Sequence, residues 1–331
     1  MNTNWQLFLN TQIPAETTFS AESSTPQIIA LTQLSVLKIS GADSLQFLQG
    51  QLTTNVLQLT EQVSQFSAMC SPKGRVIATF FLVKSTDAVL MILPLALLTL
   101  VKDKLSRYLF RAKVQLTVAD NELCLIGLIP ENYTTPLFHL EHDARPLFVT
   151  HTNEHAITIQ IGLRTLVIVA AHHACEYWHN QGMHGYQVST LEAWRHVDQL
   201  SGLPWLTPDT TEAFIPQMLN LDKIEGISFT KGCYTGQEIV ARTHYLGKSK
   251  RSLCLAECHS ATSLLATTEV FLSEQPNSTP LNACGQLLSV SQQGTHCTFL
   301  LVINHPDYLT SPLQLIDQTP VHLLSGHPIN E

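Results

Sequence analysis

Residues 226–247 read GISFTKGCYTGQEIVARTHYLG. Gly226 and Gly232 bracket a short extended piece. Thr235, Gly236, Gln237 and Glu238 have the form of a capping box, with Thr235 as N-cap and Glu238 reaching back three residues later. The helix started in this way is predicted to run to about His244, with Gly247 at its C-terminal stop. Cys233 then lies two residues before a helix N-terminus, whose partial positive charge favours thiolate over thiol. Lys231 and Arg242 add to that field. The same free N–H groups suit a carboxylate or a phosphate. From these residues alone a second reading stands beside the first: an ordinary capped helix with a buried cysteine.

Upstream, residues 189–201 have a helical pattern with Thr190 as a cap, ended by Gly202-Leu203-Pro204. Residues 66–70 and 75–83 read as strands joined by the turn Ser71-Pro72-Lys73-Gly74. Residues 88–93 form a third strand. A helix over 94–109 follows, carrying Leu97, Leu98, Val101, Leu105, Tyr108 and Leu109 at helical spacing. Strands are predicted at 112–119, 122–129, 155–161 and 164–170, with polar 130–154 as loop. Leu34 to Ile39 alternates like a strand, and Asp43 is placed to cap the helix DSLQFLQGQL. Residues 10–30, rich in Thr, Ser, Glu and Pro, read as a loosely held arm, so residues 1–30 are set apart. After Gly247 the character changes. Segments 251–258, 268–273, 283–292, 296–303 and 313–323 are short strands between turn residues, which suggests a small barrel or a sandwich. The expected domains are 31–247 and 248–331.

The 331 residues include 44% apolar ones, enough for a sizeable core in two or three domains. The net charge of −8 argues against a nucleic acid as the main partner. The eight cysteines, at 70, 124, 175, 233, 254, 258, 284 and 297, are spread out. The opening MNTNWQLFLNTQ lacks a basic n-region and a long apolar h-region. Reduced thiols in the cytoplasm are expected. The apolar stretch 88–101, AVLMILPLALLTLV, is too short to span a bilayer and contains Pro94. No metal site is expected. Cys254 and Cys258 before His259 lack a second pair, and the run HHACEYWHNQGMH at 172–184 reads as a solvated helix face. Arg242, Lys248, Lys250 and Arg251 form a basic cluster, read either as a solvated turn or as an anion site.

KGCYTGQE at 231–238, followed by VAR, resembles the signature of the YgfZ family. The likeness extends from Ile39 to Leu253, through ISGADSLQFLQGQLTTNV, CSPKGRV, LSRYLFRAKV and FIPQMLNLDKIEGISFTKGCYTGQEIVART. The family is similar in fold to the T-protein of the glycine cleavage system. The resemblance implies an α+β region of two interleaved subdomains, which binds folate, and a C-terminal β-barrel. It implies a functional thiol at Cys233, assisted by Lys231. It also implies a tetrahydrofolate site drawing on Gly232, Tyr234, Gly236, Gln237, Glu238 and Arg242. Trp194 falls where the family has a Trp near the pterin; it either stacks on that ring or is a core residue. Cys70 matches a cysteine position of some members. The implied role is support of iron–sulfur enzymes, including those that thiolate tRNA, with tRNA itself contacted indirectly or weakly. A monomer is expected.

Three positions depart from the family or from the T-protein. Leu34 stands where the family has a Trp on the first strand. Leu200 stands where the T-protein has a Glu for the pterin amino edge, with Asp198 two residues earlier on another helical face. Thr79 stands where the T-protein has its key acid. Without that carboxylate, an aminomethyltransferase is the disfavoured alternative. A direct tRNA-binding protein is the third reading, opposed by the net charge.

Overall fold

The computed structural model describes residues 2–13, 24–133, 147–247, 249–273, 283–304 and 312–324. The first elements are α1 (Thr3–Gln12) and β1 (Gln27–Ala30). The chain then turns to a different sheet, built from β2 (Leu34–Ser40), β3 (Gln65–Cys70), β4 (Val76–Lys84), β5 (Ala88–Pro94) and β6 (Gln115–Val118). Helices α2 (Ser44–Gln49) and α3 (Leu98–Ser106) interrupt those strands. It returns to the sheet of β1 with β7 (Leu123–Ile129), β8 (Thr150–Thr152), β9 (Ala156–Ile161) and β10 (Arg164–Ala170). Helix α4 (Ala174–Met183), β11 (Gln187–Val188) and α5 (Leu191–Leu200) follow. The first sheet has the order β11-β1-β7-β10-β9-β8 and the second β3-β4-β5-β2-β6.

The two subdomains are therefore interleaved. The crossing is made at Leu31, whose N–H donates to the Leu125 carbonyl at 3.0 Å, and Leu34, whose N–H donates to the Leu31 carbonyl at 3.1 Å. Strands β4 and β5 lie inside their sheet and are buried almost end to end, which explains their unbroken apolar sequences. Val36, Leu37 and Phe80 of the second sheet share one core with Ile129 and Leu166 of the first.

Helix α6 (Gln237–Leu246) leads into a closed six-stranded barrel, which excludes the sandwich. Its strands are β12 (Arg251–His259), β13 (Glu269–Leu272), β14 (Ala283–Gln293), β15 (His296–Asn304), β16 (Leu313–Gln314) and β17 (Pro320–Leu323). Strand β15 buries both its faces, and its period of two explains how. Cys297, Phe299, Leu301 and Ile303 fill the barrel. Leu300 and Val302 point the other way and join Leu253, Leu255 and Leu288 in the main core. An apolar face thus docks the barrel on the sheets.

Three local expectations are corrected. The segment read as an arm contains ordered structure on either side of residues 14–23, which lie outside the described residues. Asn2 caps α1 by accepting from the N–H groups of Asn4 and Trp5, and Trp5 packs edge-on against Trp178 of α4 at 5.6 Å. Strand β1 is buried throughout, between β11 and β7. The helix predicted over 94–109 is shorter, because a 3-10 turn at Leu95–Leu97 precedes α3. Asp43 does not cap α2; its Oδ2 accepts from the Lys113 N–H at 2.7 Å and ties down the start of β6 instead.

Candidate functional site

The loop before α6 is held against Thr53, which is itself bonded to β3 through its N–H and the Ala68 carbonyl at 3.0 Å. Thr53 Oγ1 donates to the Gly226 carbonyl at 2.6 Å, and the Ser228 N–H donates to the Thr53 carbonyl at 2.9 Å. Lys231 reaches inward, where Nζ donates to the carbonyls of Leu52 and Thr54 at 2.6 and 2.7 Å. It also sits 5.0 Å above the ring of Tyr234. Burial lowers the Lys231 pKa to about 8.

Gly236 is the N-cap of α6 and is left-handed, with φ +84°. A β-carbon there would strike the Ser71 carbonyl and come within 3.0 Å of the Gly74 Cα. Gly74, at φ +68°, is equally constrained: its β-carbon would lie 2.7 Å from that of Ile239. The turn of CSPKG and the turn of CYTGQ thus interlock at two glycines, each left-handed and each without room for a side chain.

This geometry overturns the capping box. Gly236, not Thr235, occupies the N-cap, and no side chain caps it. Gln237 Oε1 accepts from the Tyr234 N–H at 3.1 Å. Glu238 turns outward to Arg242 at 2.7 Å, an exposed pair one helical turn apart. The physical reason is the close approach to Ser71, which sets the backbone before any capping side chain acts. Cys233 consequently lies three residues before the N-cap, farther from the helix end than predicted.

The cysteines separate clearly. Cys233 is exposed and Cys175 half-buried, whereas the other six are buried. Burial pushes the Cys70 thiol up to about 12, so it stays protonated beside Gly236 and Tyr234. Around Gly232 there is open space. In the neighbouring basic cluster, Arg242 is committed to Glu238 and Arg251 Nε donates to Asn304 at 2.8 Å. Lys248 lies outside the described residues.

Trp194 belongs to a different place. It is 1% exposed, on α5 against the first sheet. The Arg164 guanidinium lies 4.7 Å over its ring, and a β-carbon at Gly127 would run into the indole. No hydrogen bond, ion pair or ring contact joins it to the 231–238 loop among the described residues. Arg164 itself is fully buried and pairs with Asp198 at 2.8 Å. Burial raises the Asp198 carboxyl to about 6, against the opposing pull of Arg164 and the Trp205 indole. Neither Arg164 nor Trp205 was singled out from the sequence. The available signal was an arginine at the head of RTLVIVA, an otherwise apolar strand, since a buried charge requires a partner.

Trp194, Arg164 and Asp198 bring buried polar groups together between α5 and the first sheet. Arg164 Nε and Nη1 and Trp194 Nε1 are buried donors without a hydrogen-bond partner, beside a carboxylate. A pterin edge sets two adjacent donors, N3–H and the 2-amino group, between two acceptors, so a carboxylate flanked by donors is the kind of set that would suit it. Leu200 packs against the main core and supplies nothing polar. Leu34 faces a shallow cleft with Trp5, Leu95 and Asp120. Thr79 is buried, and its hydroxyl donates to the Pro204 carbonyl at 2.7 Å, close to where Trp205 and Asp198 meet.

The overall architecture is that of the T-protein. The glycine cleavage system aminomethyltransferase T from Bartonella henselae superposes with a TM-score of 0.66 at 12% identity, over 94% of this chain and 88% of that one. The sequence gives the narrower assignment. The tRNA-modifying protein YgfZ of Colwellia psychrerythraea is 34% identical over 240 residues, covering 69% of this chain and 71% of the relative. Its counterpart in Hamiltonella defensa is 30% identical over 247 residues, covering 71% and 73%. An uncharacterized protein of Haemophilus influenzae is 34% identical over 231 residues, covering 69% and 72%. This chain belongs to the YgfZ family. No protein-family model matches it. Among the described residues, no helix is long and apolar enough to cross a membrane.

Proposed function

We propose that the chain is a folate-binding accessory protein of the cytoplasm that supports iron–sulfur enzymes, and through them the thiolation of tRNA. The observation that carries this reading is the contrast among its thiols: Cys233 alone of eight is exposed, at the tip of a loop whose two flanks are fixed. A thiol in that position reaches a macromolecular partner, which the six buried ones do not. Lys231 is a positioning residue, since its ammonium donates to two backbone carbonyls and ties the loop down. The cluster or its enzyme is the substrate that Cys233 meets.

Tetrahydrofolate, when bound, supplies a reduced pterin able to carry a one-carbon unit. Asp198, Arg164 and Trp194 are the residues that would hold its edge, with Asp198 providing the carboxylate missing at Leu200. Thr79 offers no acid for aminomethyl transfer, so no such turnover is expected.

The test is complementation in cells lacking their own family member, with thiolated nucleosides of tRNA measured by mass spectrometry. Cys233→Ala is expected to lose thiolation while melting at the wild-type temperature. Full thiolation by that variant would refute the role of the thiol. Titration with tetrahydrofolate is expected to change Trp fluorescence in the wild type and much less in Trp194→Phe. An equal change in both would remove Trp194 from the folate site.

A further inference from the structure

We infer that the turn following α3, residues 107–113, is a stacking platform for single-stranded RNA. The choice of RNA rests on the tRNA-modification reading above; the surface itself does not.

The first observation is strain. The Ala112 N–H donates to the Leu109 carbonyl at 2.7 Å, closing a turn in which Phe110 is the second residue. Phe110 has φ +38°. That position in such a turn calls for Gly, Asn or Asp, and a bulky side chain there is a genuine outlier. Strain of this kind persists where surrounding structure imposes it, and it clusters at functional sites. Here the frame is rigid on both sides. Leu109 packs against the core, and Lys113 exchanges backbone and side-chain contacts with Asp43.

The second observation is that the strain secures no packing. Phe110 is 89% exposed, and Tyr108 beside it is 42% exposed. An aromatic ring forced into an unfavourable backbone geometry and then left in solvent has no role within the fold.

The third is charge. Residues 102–113, KDKLSRYLFRAK, contain five of the 18 cations of the chain and one carboxylate, Asp103, for a local net charge of +4 in a protein of −8. Lys104 is engaged by Glu212 at 3.3 Å. Arg107 and Arg111 flank the two rings, are exposed, and make no side-chain hydrogen bond or ion pair among the described residues. Cations near a helix C-terminus have a structural use against its partial negative charge. That use explains neither the exposure of Phe110 nor its backbone.

Exposed rings set between free guanidinium groups match unstacked bases and their phosphates. A membrane surface fits less well. The apolar side of α3 is spent on the core through Leu98, Val101 and Leu105, and the turn has no amphipathic helix to lay on lipid. The net charge of −8 limits long-range attraction but not a local contact.

The experiment uses the full chain and a fluorescent oligouridylate of about 15 nucleotides at low salt, the upper range of site sizes for such surfaces. The wild type is expected to bind, and binding to weaken with salt. Phe110→Gly is expected to bind about tenfold less tightly, the loss of one stacked base, while melting at the same or a higher temperature. Phe110→Trp is expected to retain binding. Arg107→Ala with Arg111→Ala is expected to flatten the salt dependence by about 1.4 in log–log slope, two phosphates on a single strand. The inference is overturned if the wild type does not bind the oligomer, if Phe110→Gly binds as the wild type does, or if the chain binds phosphatidylserine vesicles and not RNA. Tetrahydrofolate and tRNA thiolation do not enter this measurement, so its failure is separable from failure of the Cys233 reading.

Discussion

The loop 231–238 and the buried knot of Arg164, Asp198 and Trp194 are both held firmly, by opposite means. The loop is fixed through backbone, with glycines at 74 and 236 allowing two turns to touch and Lys231 tied to two carbonyls. Its cost is conformational and its reward is an exposed thiol. The knot is fixed through charge, with a guanidinium and a carboxylate removed from water together. Its cost is desolvation, and several of its donors remain unpaired. Backbone bracing leaves a side chain free to meet a partner. Charge bracing keeps polar groups inside, away from water.

The largest expected effect breaks the knot. Arg164→Leu leaves Asp198 buried without its counter-charge and is expected to cost about 3–5 kcal/mol in urea unfolding. Arg164→Leu with Asp198→Leu should recover much of that loss, because no orphan charge then remains. An equal loss in the single and double variants would show that packing, not charge, holds this region.

The pH dependence sharpens the same point. The Asp198 carboxyl lies at about 6 in the folded protein against an ordinary 3.8, so the native state holds the proton more tightly. Its contribution to stability is full below about pH 4 and is lost as pH rises through about 6, roughly 3 kcal/mol across that window. Asp198→Asn is expected to remove this slope. A slope unchanged in that variant would assign the titration elsewhere.

The loop is expected to respond less. Gly236→Ala meets both an unfavourable φ and the Ser71 carbonyl, with an expected loss of about 1–3 kcal/mol in thermal unfolding. Wild-type stability in that variant would mean that the two turns do not depend on each other.

The same contrast explains what was legible in the sequence. Strands β4 and β5 were evident from unbroken apolar runs, and the barrel strands from their regular spacing. Cys233 stood out because its neighbours Gly232 and Gly236 are local. The cap was misassigned because Gly236 answers to Ser71, a contact between residues 165 positions apart. Helix α1 was missed because only Trp5 and Leu9 of TNWQLFLNTQ are buried, a stripe too narrow to signal an amphipathic helix. Strand β1 was read as part of an arm, since four residues between polar segments carry little periodicity. The Arg164–Asp198 pair spans two elements 34 residues apart, and no local pattern links them. Phe110 lies within the family motif LSRYLFRAKV, but its backbone angle has no sequence signature.

Native-state alkylation tests the central claim most directly. With iodoacetamide at neutral pH and peptide mass spectrometry, one equivalent is expected to react fast, at Cys233, with Cys175 slower and the six buried cysteines modified only on unfolding. If Cys233 resists while Cys70 or a barrel cysteine reacts first, the exposed, braced thiol does not exist in solution.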